Sequence, residues 1–306
     1  MSDWPAIACL CPTCGRFEQL RLALACFLAQ DYPGEKRLLI LNDAPEAIHT
    51  SHSSYPSDSV TVVNQTWRFA NLGEKRNALL QASSTELAAM PSIAAHWDDD
   101  DLYLPWHLTR SVEALLREDR AAALRSPEGG VGCVKSRGGW YMTGSIQRPA
   151  AGDSRNRRGQ PAAVAESRTL KAESPLRVRG PCHNVFEGTM VFRRQEALDL
   201  GGYPPRHSGQ AKALLDAFER NDRLYRIPDD EGGGVSYVYR WADGLGHISG
   251  IGNKQDAAER FRRQNRDFGD GRPLTPGDLT PYFDAVGRAA RAREASIRHS
   301  SLELRH

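Results

Sequence analysis

The chain has 306 residues, 40% of them hydrophobic, enough for one large domain or two fused ones with a sizeable core. Its formal net charge of +2 gives no general ground for nucleic acid or an anionic membrane as partner. Six cysteines are too few for a secreted disulfide framework and fit reduced thiols in a cytoplasm.

The opening residues lack a basic stretch followed by a long apolar one, so no signal peptide is expected. No run approaches the ~20 apolar residues that cross a bilayer, so no integral membrane segment is expected either. Residues 6–11 form a short apolar strand that stops at Pro12. Within it Cys9 and Cys11 read as small core residues. Cys11 and Cys14 have zinc-ligand spacing, but no second pair follows. Residues 17–29 carry Leu20, Leu24, Phe27 and Leu28 on one helical face, closed by Asp31-Tyr32-Pro33-Gly34. Strands follow at 37–41, ending in Asn42-Asp43, and at 60–63. A helix is expected at 73–82, and a fourth strand at 93–97 runs into Asp98-Asp99-Asp100-Asp101. Pro105 suits the first turn of a helix whose Leu108, Val112, Leu115 and Leu116 share a face. Such alternation predicts an α/β fold, a mainly parallel sheet flanked by helices.

Residues 144–180 break the pattern, with eight Arg or Lys against three acids and no lasting periodicity. The stretch reads as a long flexible loop, either a binding segment or an inert insertion. Order returns at 187–193. Helices are expected at 195–200 and 210–220, and strands at 223–227 and 235–241. From 253 onward the chain is charged and helical, with too few apolar positions for a core of its own.

In an open parallel sheet, ligands bind where the strands' carboxyl ends meet. The groups to inspect are therefore Pro12–Arg16, Asn42-Asp43, Asn71–Asn77 and Asp98–Asp101. Four consecutive aspartates repel one another unless something compensates. A hard divalent cation with oxygen ligands, Mg²⁺ or Mn²⁺, shares such carboxylates with substrate phosphates. In extended backbone Asp98 and Asp100 would project to one side and Asp99 and Asp101 to the other. Asp101 would also lie at the next helix's N-terminus.

Together these groups resemble the family 2 glycosyltransferases, with the A-type nucleotide-diphospho-sugar fold. The carriers of the resemblance are Pro12-Thr13-Cys14-Gly15-Arg16, Asp43 at the end of the second strand, and Asn71-x-Gly73-x-x-Arg76-Asn77. His96 to Pro105 adds an Asp-x-Asp block, and Glu187 to Arg194 followed by Gly201-Gly202-Tyr203 an acceptor-side segment. The resemblance implies a Rossmann-like nucleotide-sugar-binding half at 1–143, the basic loop at 144–180 and an acceptor-side half at 181–252. A helical extension at 253–306 packs back on them. It implies that Pro12, Thr13, Arg16 and Asp43 cradle the nucleoside, and that Lys75 and Arg76 sit near the ring or diphosphate. Asp98 and Asp99 would contact the nucleotide, and Asp98, Asp100 and His247 would hold Mn²⁺ or Mg²⁺. The partners would be a UDP- or GDP-sugar donor and a sugar, lipid or small-molecule acceptor.

One element departs from the family pattern. An inverting member needs a general base for the acceptor hydroxyl, usually an acid shortly after Gly-Gly-Tyr. Here Ala211 and Lys212 stand there, with Asp216 a turn further on and Glu187 upstream. Glu187 or Asp216 could serve as base; the enzyme could retain configuration and need none there; or the chain could bind a nucleotide-sugar with little transfer. A nucleotidyltransferase would need a longer Gly-rich basic loop after the first strand. RNA binding would rest on the 144–180 loop alone.

Overall fold

The computed structural model describes residues 4–49, 58–87, 91–125, 130–136, 139–143, 187–227, 236–242 and 273–274. In chain order the elements are β1 (Ile7–Thr13), α1 (Phe17–Leu28), β2 (Lys36–Asn42), β3 (Val60–Asn64), α2 (Leu72–Ala82), β4 (Ile93–His96), β5 (Leu102–Tyr103), α3 (His107–Arg117), β6 (Ala122–Arg125), β7 (Gly130–Ser136) and β8 (Gly139–Thr143). A 3-10 turn (Glu187–Thr189) then precedes β9 (Val191–Arg193), α4 (Arg194–Asp199), α5 (Gln210–Arg220), β10 (Leu224–Ile227), β11 (Tyr237–Ala242) and β12 (Pro273–Leu274).

Seven strands form the main sheet in the order β10-β6-β9-β4-β1-β2-β3. Every neighbouring pair is parallel except those of β9, which runs antiparallel to both β4 and β6. The expected α/β architecture, a mainly parallel sheet flanked by helices, is therefore present. β1 is central and buried along its whole length. Period-2 alternation sends Ile7, Cys9 and Cys11 to one face, against Leu20, Leu24 and Phe27 of α1 and Leu108, Val112 and Leu115 of α3. Ala8 and Leu10 go to the other, against Leu79 and Leu80 of α2 and Leu214, Leu215 and Phe218 of α5. Each fully buried Leu, Ile or Phe contributes about 1.5–3 kcal/mol of transfer free energy, so both faces are needed.

Two local joints fix the helices. Asn71 caps α2 by accepting from the Glu74 amide at 2.9 Å, and its own amide donates to the Glu74 carboxylate at 2.8 Å. At the other end of α1, the buried Gln30 side chain donates to Leu104 O at 2.7 Å and accepts from the Leu108 amide at 3.0 Å. That ties the α1 exit to the start of α3.

Several features differ from expectation. β1 runs through Pro12 to Thr13 rather than stopping before it. Thr13 O accepts from the Asp43 amide at 3.4 Å, so Thr13 faces β2 and Pro12 faces the opposite side, where pairing with β4 has already ended at Leu10. The missing Pro12 amide is not needed there. α3 starts at His107, two residues after Pro105. A second sheet, in the order β12-β8-β7-β11-β5, is unexpected, although the strand expected at 235–241 is found in it as β11. Its other strands are short or Gly-bearing, and β6 of the main sheet is an Ala-Ala-Leu-Arg run, so periodicity carries little signal there. The basic loop at 144–180, His247, and residues 253–306 apart from β12 lie outside the described residues. No helix among the described residues is long and apolar enough to cross a membrane.

Candidate active site at the carboxyl edge of the main sheet

Thr13, Asn42 and Asn64 lie side by side in register at the ends of β1, β2 and β3. The segments after them fold over one another. Asp43 follows β2 and is buried; its Oδ1 accepts from Lys75 Nζ at 2.5 Å and its Oδ2 from the Phe69 amide at 3.2 Å. Lys75 Nζ also donates to Thr13 O. With 2% exposure its ammonium is enclosed by the protein, and burial lowers its pKa against the pull of Asp43. Lys75 thus holds the loops after β1 and β2 together, and is not open to the diphosphate.

The four aspartates do not alternate as an extended strand would. The backbone turns after Trp97, with the Asp101 amide 3.5 Å from Asp98 O, and the four carboxylates meet Thr13, Arg16, Arg76 and Tyr237 between them. Asp99 is fully buried; it accepts from Thr13 Oγ1 at 2.6 Å and from the Arg16 guanidinium through both oxygens. The same guanidinium reaches Asp100 Oδ2 at 2.6 Å. Asp98 Oδ1 accepts from Arg76 at 2.5 Å, and Asp101 Oδ2 from the Tyr237 hydroxyl. Asp101 lies well before the start of α3, so it does not serve that helix terminus.

Burial works to lower the pKa of Arg16, but Asp100 and Asp99 outweigh it and raise it. Asp99 is nevertheless also held above the ordinary carboxylate range, because burial outweighs its one guanidinium and Asp100 adds repulsion. Side-chain exposure separates the quartet: 22% for Asp98 and 9% for Asp100, against 0% for Asp99.

Among the described residues no three His, Cys, Asp or Glu side chains are gathered as a ready cation cage. Mg²⁺ and Mn²⁺ do not require one, since such ions take one or two carboxylates and complete their shell with water and substrate phosphate oxygens. Asp98, partly exposed, and Asp100, nearly enclosed with one oxygen on Arg16, supply hard oxygens of that kind. Cys11 is buried in β1, with its thiol pKa raised by burial, so its spacing to Cys14 does not make a metal pair.

Across from the aspartates lies the segment around Gly201-Gly202-Tyr203. It docks on α2: the Asn77 amide donates to Tyr203 O at 2.7 Å and accepts from the Tyr203 amide at 2.8 Å. A Cβ on Gly73 would sit 1.9 Å from Pro204 O, so α2 comes this close only through a glycine. Two widely separated motifs are thus the halves of one joint. Glu187 sits beside this joint, its pKa raised by burial against the opposing pull of Arg76. The other candidate acid, Asp216, is paired on α5 with Lys212.

No protein-family model matches the sequence, and no curated protein matches it. Among solved structures the chain is similar to S. aureus TarS 1–349 in complex with UDP-GlcNAc, with 13% identity, 93% of this chain and 80% of that chain covered, and a TM-score of 0.46. It is also similar to the mannosyltransferase PcManGT from Pyrobaculum calidifontis in complex with GDP-Man and Mn2+, with 17% identity, 96% and 75% covered, and a TM-score of 0.48. Against another S. aureus TarS structure it covers 77% of its own length and only 36% of that chain, with 14% identity and a TM-score of 0.45. These are likenesses of fold.

Of the residues singled out in the sequence, Thr13, Arg16, Asp43, Lys75, Arg76 and Asp98 to Asp101 come together through the contacts above, and Pro12 lies buried in β1 beside them. Glu187 and Asp216 both lie on the side of Arg76 and Asp98, within electrostatic range of each other. The sequence reading gave no role to His96, Tyr103, Tyr203 or Tyr237. Their signal was faint: buried polar aromatic groups inside apolar stretches that flank the aspartates and glycines.

Proposed function

We propose that the chain is a metal-dependent glycosyltransferase that moves a sugar from a UDP- or GDP-sugar to an acceptor hydroxyl. The observation that carries this reading is the sorting of the aspartate run. Asp99 and Asp101 are enclosed by the protein, whereas Asp98 keeps 22% side-chain exposure and Asp100 9% at the carboxyl edge of a mainly parallel sheet. Asp98 and Asp100 would hold Mn²⁺ or Mg²⁺, with His247 as a further ligand. The cation, when bound, neutralises charge on the departing diphosphate. Arg16 would frame the nucleoside, with the enclosed Thr13, Asp43 and Lys75 holding its loop from within. Arg76 would hold Asp98 in place.

Glu187 is the better candidate for the base. Asp216 is already engaged by Lys212, while Glu187 has a pKa raised towards neutrality by burial. Its carboxylate would take the proton of the acceptor hydroxyl as that oxygen attacks the anomeric carbon and the bond to the diphosphate breaks. The buried thiols of Cys9 and Cys11 fit a reducing compartment, and we place the activity in the cytoplasm.

A thermal-shift screen of nucleoside diphosphates and their sugars, with and without Mn²⁺, tests the donor. One base should stabilise in a metal-dependent manner, and Asp100→Asn should abolish the metal dependence. No shift from any nucleotide would refute the reading. A second reading, donor binding with little turnover, is favoured by Ala211, which is buried where an acid would be expected. Product formation from purified protein would exclude it.

A further inference from the structure

The 3-10 turn that carries Glu187 is held by groups that also hold Asp98. His96 closes β4 and is buried. Its Nδ1 lies 2.8 Å from Glu187 O, and because a carbonyl oxygen only accepts, Nδ1 carries the proton. Its Nε2 lies 2.7 Å from the Tyr203 hydroxyl. With the proton on Nδ1, Nε2 is the ring's acceptor and receives the Tyr203 O–H. The next carbonyl of the turn, Gly188 O, accepts from the Tyr103 hydroxyl at 3.3 Å, and that hydroxyl accepts from the Asp98 amide at 2.9 Å. A Cβ on Gly188 would lie 2.4 Å from the Tyr237 hydroxyl, the group that binds Asp101. Finally, the Arg76 guanidinium that binds Asp98 lies 6.0 Å from the centre of the Tyr203 ring.

We infer that His96 and Tyr103 are positioning residues that set the Glu187 carboxylate relative to Asp98, and so hold the base at a fixed distance from the leaving diphosphate. Neither touches substrate. Two successive carbonyls of one turn are each gripped by a hydrogen-bond donor, and one of those donors also receives the Asp98 amide. A displacement of the turn therefore strains the aspartate loop as well. Both ring nitrogens of His96 and the Tyr103 hydroxyl have partners in this buried network, and such coupling is stiff.

The inference rests on Glu187 as base, and the test separates the two. The full-length protein would be assayed for Mn²⁺-dependent hydrolysis across a panel of UDP- and GDP-hexoses, with nucleoside diphosphate affinity measured in parallel. His96→Gln places its amide near the former Nε2 and leaves Glu187 O without its donor; His96→Asn keeps an N–H near the former Nδ1. His96→Gln and Tyr103→Phe should each lower kcat about 10- to 100-fold, the cost of a displacement of order 1 Å. Nucleotide affinity should stay within about twofold, and His96→Asn should regain most of the loss. Adding His96→Gln to Glu187→Gln should slow the reaction no further, because both act through one group. A slow Glu187→Gln beside a full-rate His96→Gln would sink the inference alone, as would loss of nucleotide affinity in step with kcat. A full-rate Glu187→Gln, or no turnover with any donor, would remove the base reading and the inference with it.

Discussion

Lys75→Met tests whether Lys75 supports the site from within or reaches the ligand. The Lys75–Asp43 pair is enclosed, with side-chain exposures of 2% and 5% and a separation of 2.5 Å. Removing one partner of a buried pair leaves an uncompensated charge and costs about 3–5 kcal/mol. Thr13 O would lose the ammonium and keep only the Asp43 amide as donor. For a chain of 306 residues the unfolding entropy is about 0.6 kcal/mol per kelvin, so the melting temperature should fall by about 5–8 °C. Lys75→Met combined with Asp43→Asn leaves no stranded charge and should recover more than half of that loss. Calorimetry on the wild type, both single variants and the double variant closes the cycle. A Lys75→Met protein that melts within about 1 °C of wild type, yet binds nucleoside diphosphate much more weakly, would refute the reasoning. The ammonium would then be serving the ligand directly.

Gly73→Ala should destabilise the protein by several degrees, because the obstacle is the Pro204 backbone and not a flexible side chain; differential scanning fluorimetry reads this directly. Glu187→Gln should lower kcat by about 10²- to 10⁴-fold in the transfer or hydrolysis assay, with nucleotide affinity retained. The acid limb of the wild-type kcat/KM profile should lie above the ordinary glutamate value of about 4.3, since under the proposed reading Glu187 acts when ionised and burial raises its pKa. The same shift fixes the sign for stability. A carboxylate whose folded pKa is raised costs stability above that pKa, and the cost is relieved as pH falls through it. Melting at several pH values should therefore find Glu187→Gln more stable than wild type at alkaline pH, with the gain shrinking on acidification.

Much of the main sheet was legible because its strands are short apolar runs that end in polar clusters, and its helices carry apolar residues three and four apart. The 210–220 helix is found at Gln210–Arg220, and the expected 17–29 helix as Phe17–Leu28. Convergence of the strand-end residues followed from parallel topology alone. The roles of the individual aspartates did not, because they depend on a turn. Alternation assumes extended backbone, and after Trp97 the chain bends so that Asp99 and Asp100 share Arg16. Nor was the α2 joint legible, since Gly73 and Asn77 lie 131 and 126 residues from Pro204 and Tyr203, and only folding brings them together.

The missing acid near Ala211 acquires a physical sense from the packing of α5. Its Ala211, Leu214, Leu215 and Phe218 face the core with Tyr203 and Phe192, so a carboxylate at position 211 would be buried among apolar groups. Lys212, one position on, turns to the next face and takes Asp216 as its partner. The helix that would otherwise present a base is thus committed to packing on one side and to an internal ion pair on the other. Glu187 does not belong to that helix. It is carried by a turn pinned to β4 through His96 and to the aspartate loop through Tyr103, both on the rigid sheet side of the site. Under the proposed reading the proton acceptor sits on the turn before β9 rather than on α5. The Glu187→Gln and Asp216→Asn rates, measured side by side, decide this: a large loss in the first and a small one in the second is the expected pattern, and the reverse would return the base to α5.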